Sequence, residues 1–245
     1  MKAVIVIPAR FGSTRFPGKP LALIAGVSLI QRVYERCADS RRAAAIYVAT
    51  DDARIFDHVL TFGGRVVLPA GDHQSGTDRI AAALTDIEHL ESSTFEQVVN
   101  VQGDEPLIEV RSVDAIIDTL QQTSVDIATL ACPFASEAEW LSRDIVKVVT
   151  DSRGDALYFS RSPIPHGGFA LARRHIGLYG YQSTVLRAFA SLPPSALERT
   201  ESLEQLRALE NGYKIRVLNT DQPHLGVDRP EDVARVEIEL GRSRS

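Results

Sequence analysis

The 245-residue chain has only two cysteines, one methionine and one tryptophan. Cys37 and Cys132 stand far apart and no C-x-x-C pair occurs, so no thiolate zinc site is indicated. Two isolated thiols in an α/β chain fit a reducing compartment, where they serve as small buried hydrophobes. Long apolar runs are missing too. The run at residues 3–7 is too short to cross a bilayer, and no small-residue cleavage site follows a signal-length core. The chain therefore reads as cytoplasmic, with no membrane partner. Nor is there a surplus of positive charge: 27 Lys and Arg face 32 Asp and Glu, for a net charge of -5. That balance argues against a nucleic-acid partner and points to a small polyanion met locally. No G-x-G-x-x-G, internal repeat or low-complexity tract occurs, so a dinucleotide site is unsupported.

What is present is 44% hydrophobic residues, enough for a substantial core, in a length that suits one large α/β domain or two small ones. Short β-rich runs alternate with helical patterns. Strands are predicted at 2–7, 45–49, 65–68, 97–101 and 126–131, and helices at 29–38, 77–90 and 113–120. Thr50-Asp51-Asp52 is placed to cap a further helix. This rhythm predicts a mostly parallel, Rossmann-like sheet covered by helices on both faces. The middle breaks it. Runs at 146–150 and 156–160 flank Asp151-Ser152-Arg153-Gly154 as a hairpin, 162–174 holds no clear element, and 175–181 alternates like a strand. The expectation is a single domain, 1–245, with a small antiparallel section inserted around 133–190. A helix at 203–210, a strand at 213–218 and a helix at 230–240, with proline in its first turn, close the chain.

In such sheets ligands gather outside the carboxyl ends of the strands. Three loops leave such ends: 9–20, 50–52 and 102–106. The first, ARFGSTRFPGKP, carries Arg10, Arg15 and Lys19 and no acid. It is not a Walker P-loop, because five residues separate Gly12 from Gly18. Pro20, which follows Lys19, offers neither a hydroxyl nor an N–H. It still suits phosphate. Gly12 and Gly18 let the backbone come close, Ser13 and Thr14 add donors, and two guanidinium forks and an ammonium add charge. A phosphate site with magnesium needs carboxylates opposite, and Asp104 in VNVQGDEP and Asp228 in GVDRPEDV are the candidates. Each has a plainer alternative: Asp104 as a turn residue before Pro106, Asp228 as the N-cap of the helix that starts at Pro230.

Taken together, IPARFGSTRFPGKPL, DHQSGTDRI, NVQGDEP, ALYFSRSPIP, HIGLYGY, SLEQLRALENG and GVDRPED resemble the 3-deoxy-manno-octulosonate (Kdo) cytidylyltransferases, or CMP-Kdo synthetases, in order over nearly the whole chain. The opening loop alone indicates only the wider nucleotidyltransferase superfamily; NVQGDEP with YFSR and LEQLR is more specific. The resemblance implies a nucleotide-binding α/β fold with a smaller section that makes a homodimer. It also implies the reaction CTP + Kdo → CMP-Kdo + pyrophosphate with Mg²⁺, for lipopolysaccharide or capsule assembly. The C2 hydroxyl of the sugar would attack the α-phosphorus as pyrophosphate leaves in line. An 8-amino Kdo analogue or another acidic sugar is the rival acceptor. A catalytically silent nucleotide-binding module would have lost Lys19 or the carboxylates, and all are present.

The family's functional positions carry over as follows. Arg10, Ser13, Arg15 and Lys19 look like the triphosphate cradle, with Lys19, Arg10 and Asp104 as the catalytic groups. Ala9, Gln74, Ser75, Gly76 and Arg79 look like the cytosine and ribose contacts, and Asp104 and Asp228 like the Mg²⁺ ligands. Gln102, Arg161, His175, Tyr179, Glu204 and Gln205 resemble the sugar site, with Arg161 meeting the sugar carboxylate. Three departures stand out. Val27-Ser28 replaces a usual Lys-Pro. Arg229 replaces a usual Thr, placing a cation beside Asp228. The loop 163–174 is shorter than in some relatives.

Overall fold

The computed structural model describes residues 1–12, 15–71, 75–122, 124–221 and 225–242. The chain opens with β1 (Ala3–Ala9). The basic loop then passes through one 3-10 turn, Lys19–Leu21, into a ribbon of β2 (Leu23–Ile24) and β3 (Val27–Ser28). Next come α1 (Leu29–Ala38), β4 (Ala43–Thr50), α2 (Ala53–Thr61) and β5 (Val66–Val67). After them run α3 (Gly76–Glu91), β6 (Gln97–Asn100), α4 (Val110–Leu120) and β7 (Ile127–Cys132). The middle holds the short α5 (Glu137–Leu141), β8 (Lys147–Thr150), β9 (Ala156–Ser160) and β10 (Arg173–Gln182). The chain closes with α6 (Ser183–Ala190), α7 (Ala196–Glu201), α8 (Gln205–Glu210), β11 (Ile215–Asn219) and α9 (Pro230–Arg242).

Local chemistry sets the helix starts. The Ser28 hydroxyl accepts from the Gln31 N–H at the head of α1, and Asp52 accepts from the Arg54 N–H at the head of α2. Helix α3 begins with a full capping box, Ser75 accepting from the Asp78 N–H and Asp78 from the Ser75 N–H. Alternation along β1 divides the core. Ala3, Ile5, Ile7 and Ala9 join a cluster with α1, α2 and α4, while Val4 and Val6 join one with α3, α6 and α8. A strand buried on both faces needs an unbroken apolar run, which is what β1 supplies.

The described strands form a nine-stranded sheet whose main path runs β11-β7-β10-β6-β1-β4-β5. All neighbours along it are parallel except β10, which is antiparallel to both β6 and β7. The section around 133–190 is antiparallel, and it is joined directly to the main sheet. Its last strand is an interior member of the main sheet, and its first residues also pair with β8, which pairs with β9. A register shift between Ile176 and Tyr179 lets β10 serve both partners. The hairpin at 151–154 is present as predicted from its turn residues. Trp140 anchors a satellite core with Phe134 and Ala172, its indole donating to the Ile164 carbonyl at 2.8 Å. Lys147 is fully buried, and its ammonium donates to the carbonyls of Ser142, Ile145 and Arg161. Burial pushes its pKa down, and the Arg161 charge adds to the effect.

At Gly180, α4 packs on the sheet with no room for a side chain: a Cβ there would lie 2.3 Å from Ile116 Cγ2 and 2.8 Å from Leu120 Cδ1. Gly180→Ala should therefore overpack this layer and cost about 1–3 kcal/mol of stability, read from the urea midpoint. An unchanged midpoint would contradict the close packing of α4 on β10.

Candidate active site

Two parallel neighbours, β1 and β6, end side by side, and the site is built on their carboxyl ends. The loop after β1 folds back because Gly18 takes a left-handed φ of 70° and its N–H meets the Phe11 carbonyl at 3.1 Å. Pro20 sits in the first turn of the 3-10 segment, where a missing N–H costs little, so the Lys-Pro pair that breaks the Walker pattern has a local reason. The 50–52 loop braces the basic loop from outside. Asp52 holds Arg54 at 2.7 Å, and the Arg54 guanidinium lies 3.3 Å from the centroid of the Phe11 ring.

After β6, Gly103 passes so close to β1 that a Cβ would stand 2.8 Å from the Pro8 carbonyl oxygen. That approach turns Asp104 inward. The Asp104 carbonyl accepts from the Val227 N–H at 2.8 Å, which draws the Asp228 segment to the same place. The result is a charge cluster. Lys19 Nζ lies 2.6 Å from Asp104 Oδ2 and 3.6 Å from Asp228 Oδ1, and Arg15 Nη1 lies 3.5 Å from Asp228 Oδ2. Asp228 spends its carboxylate on these cations. At the start of α9 it is Asp232 that accepts from the Asp228 and Arg229 N–H groups. Arg229 pairs with Glu231 at 3.8 Å rather than crowding Asp228 from outside the cluster.

An open cavity of about 410 Å³ lies over this cluster, lined by Ala9, Arg10, Arg15, Lys19, Ser75, Gly76, Arg79, Asp104 and Asp228. Arg79 is almost fully buried, and its Nη2 meets Asp51 Oδ2 at 2.7 Å. A smaller cavity of about 150 Å³ adjoins it, sharing Pro8, Gly76 and Gln102, and is lined also by Asn100, Tyr179, Tyr181, Glu204 and Gln205. The site is thus one cleft with two lobes, basic at one end and rich in neutral polar groups at the other.

The donor set suits magnesium. Asp104 and Asp228 supply hard carboxylate oxygens that already converge on one cationic group, the Lys19 ammonium. No group of three or more His, Cys, Asp or Glu side chains suited to a metal occurs among the described residues. A divalent ion here would complete its shell with phosphate oxygens and water, as magnesium commonly does.

Residues 4–215 match the cytidylyltransferase family model. The chain is 49% identical to the 3-deoxy-manno-octulosonate cytidylyltransferase of Syntrophotalea carbinolica, covering 98% of this chain and 99% of that one. It is 47% identical to the enzyme of the same name from Thermodesulfovibrio yellowstonii, covering 97% of each. A solved CMP:2-keto-3-deoxy-manno-octonic acid synthetase, complexed with CTP, superposes with a TM-score of 0.92 at 41% identity, covering 99% of this chain and all of that one. The chain belongs to the 3-deoxy-manno-octulosonate cytidylyltransferases.

For this cytidylyltransferase, the structure gathers most of the residues singled out from the sequence. Ala9, Arg10, Arg15, Lys19, Ser75, Gly76, Arg79, Asp104 and Asp228 meet in the basic lobe, and Gln102, Tyr179, Glu204 and Gln205 in the adjoining one. Ser13 and Gln74 lie outside the described residues. Arg161 and His175 line neither lobe. The Arg161 guanidinium donates to the carbonyls of Glu201, Arg143 and Ser202, so its forks are engaged with backbone just before the Glu204 segment. His175 has its ring against Phe159 and Tyr179, with Nε2 3.0 Å from Thr129 Oγ1. Burial pushes its pKa down to about 3, so the ring is neutral at physiological pH.

Three polar lining residues escaped the sequence reading: Asn100, Thr77 and Tyr181. Asn100 had a signal, since it is a polar residue that follows Val98 and Val99 at the end of a fully buried strand, and its Oδ1 is buried without a hydrogen bond among the described residues. Thr77 and Tyr181 had none, because each is an ordinary residue within its own element.

The His175 geometry carries a pH test. Its folded pKa lies below the unfolded value, so the unfolded chain takes the proton first as pH falls. Its stabilising contribution is complete above about pH 6.5 and is lost between there and about pH 3. The stability advantage of wild type over His175→Gln should narrow by about 1–2 kcal/mol between roughly pH 7.5 and roughly pH 5 in parallel denaturant titrations. A constant difference would mean that the ring protonates freely in the folded protein.

Proposed function

We propose that this chain transfers the cytidylyl group of CTP to Kdo, giving CMP-Kdo and pyrophosphate, in lipopolysaccharide or capsule assembly. The observation that carries this reading is the joined pair of lobes in a chain of this family: three loop cations and two carboxylates at one end, Gln102, Tyr179, Glu204 and Gln205 at the other. Ala9, Ser75, Gly76 and Arg79 hold the cytidine end, with Gln74 completing it. Arg10, Arg15 and Lys19, with Ser13, grip the triphosphate. Lys19 exchanges its carboxylate partners for phosphate oxygens and carries the charge that grows on the departing pyrophosphate.

Asp104 and Asp228 are the Mg²⁺ ligands in this reading, and the ion, when bound, neutralises the α-phosphate and lowers the pKa of the acceptor hydroxyl. Gln102 stands where the lobes meet, with its Nε2 steadied by the Gly177 carbonyl at 3.3 Å. It orients the sugar so that its hydroxyl faces the α-phosphorus, which is the larger part of what such a site contributes. Arg161 acts from behind the acceptor lobe, holding the Glu201 and Ser202 carbonyls ahead of Glu204. A homodimer surface is assigned to the 133–190 section by the family resemblance, and Leu141, Leu157 and Leu171 are among the exposed large hydrophobics there. No described helix is long and apolar enough to cross a membrane.

Pyrophosphate release, measured with each of CTP, UTP, ATP and GTP, with Mg²⁺ and with or without Kdo, should require CTP and Kdo together. Lys19→Met should lower kcat by about 10²–10³-fold with an unchanged far-UV spectrum. A near-normal kcat would remove Lys19 from the phosphate site, and equal or better use of the 8-amino analogue would overturn Kdo as the acceptor.

A further inference from the structure

Thr77 is the second residue of α3, directly after Gly76, which lines both lobes. It is 3% exposed, and its hydroxyl donates to Glu204 Oε2 at 2.5 Å, across 127 residues of sequence. The other Glu204 oxygen, Oε1, accepts from Arg207 Nη2 at 3.0 Å. Arg207 is itself buried and fixed. It makes a two-pronged pair with Glu198 at 2.9 Å on each prong, donates to the Leu192 carbonyl and lies over the Phe189 ring. Glu204 is therefore gripped on both oxygens, one from its own helical segment and one from α3. Thr77 and Tyr181 both line the acceptor lobe alongside Glu204.

We infer that Thr77 is a positioning residue for the acceptor: it ties the carboxylate facing the second substrate to the first turn of the helix that borders the nucleotide. This rests on the Kdo cytidylyltransferase reading above. The first turn of α3 is rigid, locked by its Ser75–Asp78 capping box. A carboxylate pinned to that turn keeps a fixed distance from the basic lobe. A sugar hydroxyl bound by Glu204 is then held in register with the phosphate that it must approach. Arg207 alone fixes only one oxygen and leaves Glu204 free to swing about that contact. Orientation of this kind is lost steeply when a supporting contact goes.

The test compares Thr77→Val, which keeps the shape and removes the hydroxyl, with Thr77→Ser, which keeps the hydroxyl. Initial rates of pyrophosphate release are followed against Kdo at saturating CTP and Mg²⁺. CTP affinity is measured separately by calorimetry, and folding by thermal melting. Thr77→Val should raise the KM for Kdo about tenfold and leave the CTP affinity within about twofold, while Thr77→Ser returns most of the loss. In a Glu204→Met background, which has no oxygen to accept from the Thr77 hydroxyl, Thr77→Val should change the Kdo KM by less than about twofold, because the two act through one contact. An unchanged Kdo KM in Thr77→Val would overturn the inference. So would an equal rise in the Glu204→Met background, or an equal weakening of CTP. A wild-type chain that binds CTP yet releases no pyrophosphate with Kdo would instead overturn the acceptor reading itself, and this inference with it.

Discussion

The Lys19 ammonium sits between two carboxylates, 2.6 Å from Asp104 and 3.6 Å from Asp228, and the rest of the active site is arranged around that contact. Three loop cations face two carboxylates, so the basic lobe holds a small positive surplus without a bare cluster of like charge. The pair is only partly buried, with side-chain exposures of 15% and 29%, so breaking it to admit a triphosphate is not prohibitive. A triphosphate alone would meet the two carboxylates as well as the cations. A divalent ion held by Asp104 and Asp228 would remove that conflict by supplying positive charge beside the carboxylates.

The fold supplies the contact through topology. Parallel β1 and β6 deliver the basic loop and the Asp104 loop to the same edge, and the Val227 N–H bonded to the Asp104 carbonyl brings Asp228 from the far end of the chain. Gly103 is what allows the two loops to touch, since any side chain there meets the Pro8 carbonyl. On the other side of Gln102, antiparallel β10 presents Tyr179 and Tyr181 beside Glu204 and Gln205. Burial pushes both phenol pKa values upward, so they line the smaller cavity as neutral groups.

Much of this was legible in the sequence. Residues 29–38 and 156–160 are a helix and a strand with the bounds read from their patterns, and Asp52 caps the helix expected after it. The acid-free loop after β1 is the basic wall of the cleft, and Asp104 and Asp228 meet at it. What was not legible depends on pairing between distant segments. Nothing in residues 173–182 indicates that they run antiparallel between two strands of a parallel sheet. Helices at 183–190 and 196–201 are short, and their packing on α3 and α8 is tertiary. Arg161 was matched to the sugar carboxylate by its motif, but the side chain's direction is set by three backbone carbonyls that no local pattern reveals. His175 is likewise turned inward by Thr129 from a neighbouring strand.

The central claim is that Asp104 and Asp228 face the triphosphate across a shared metal while Lys19 moves between them and the phosphates. The most direct test is calorimetric CTP binding with and without Mg²⁺, for wild type and Asp104→Asn. Wild type should bind CTP far more tightly with Mg²⁺. Asp104→Asn should lose most of that gain and bind metal-free CTP at least as well as wild type, because one carboxylate no longer opposes the phosphates. A Mg²⁺ dependence unchanged by Asp104→Asn would contradict the account.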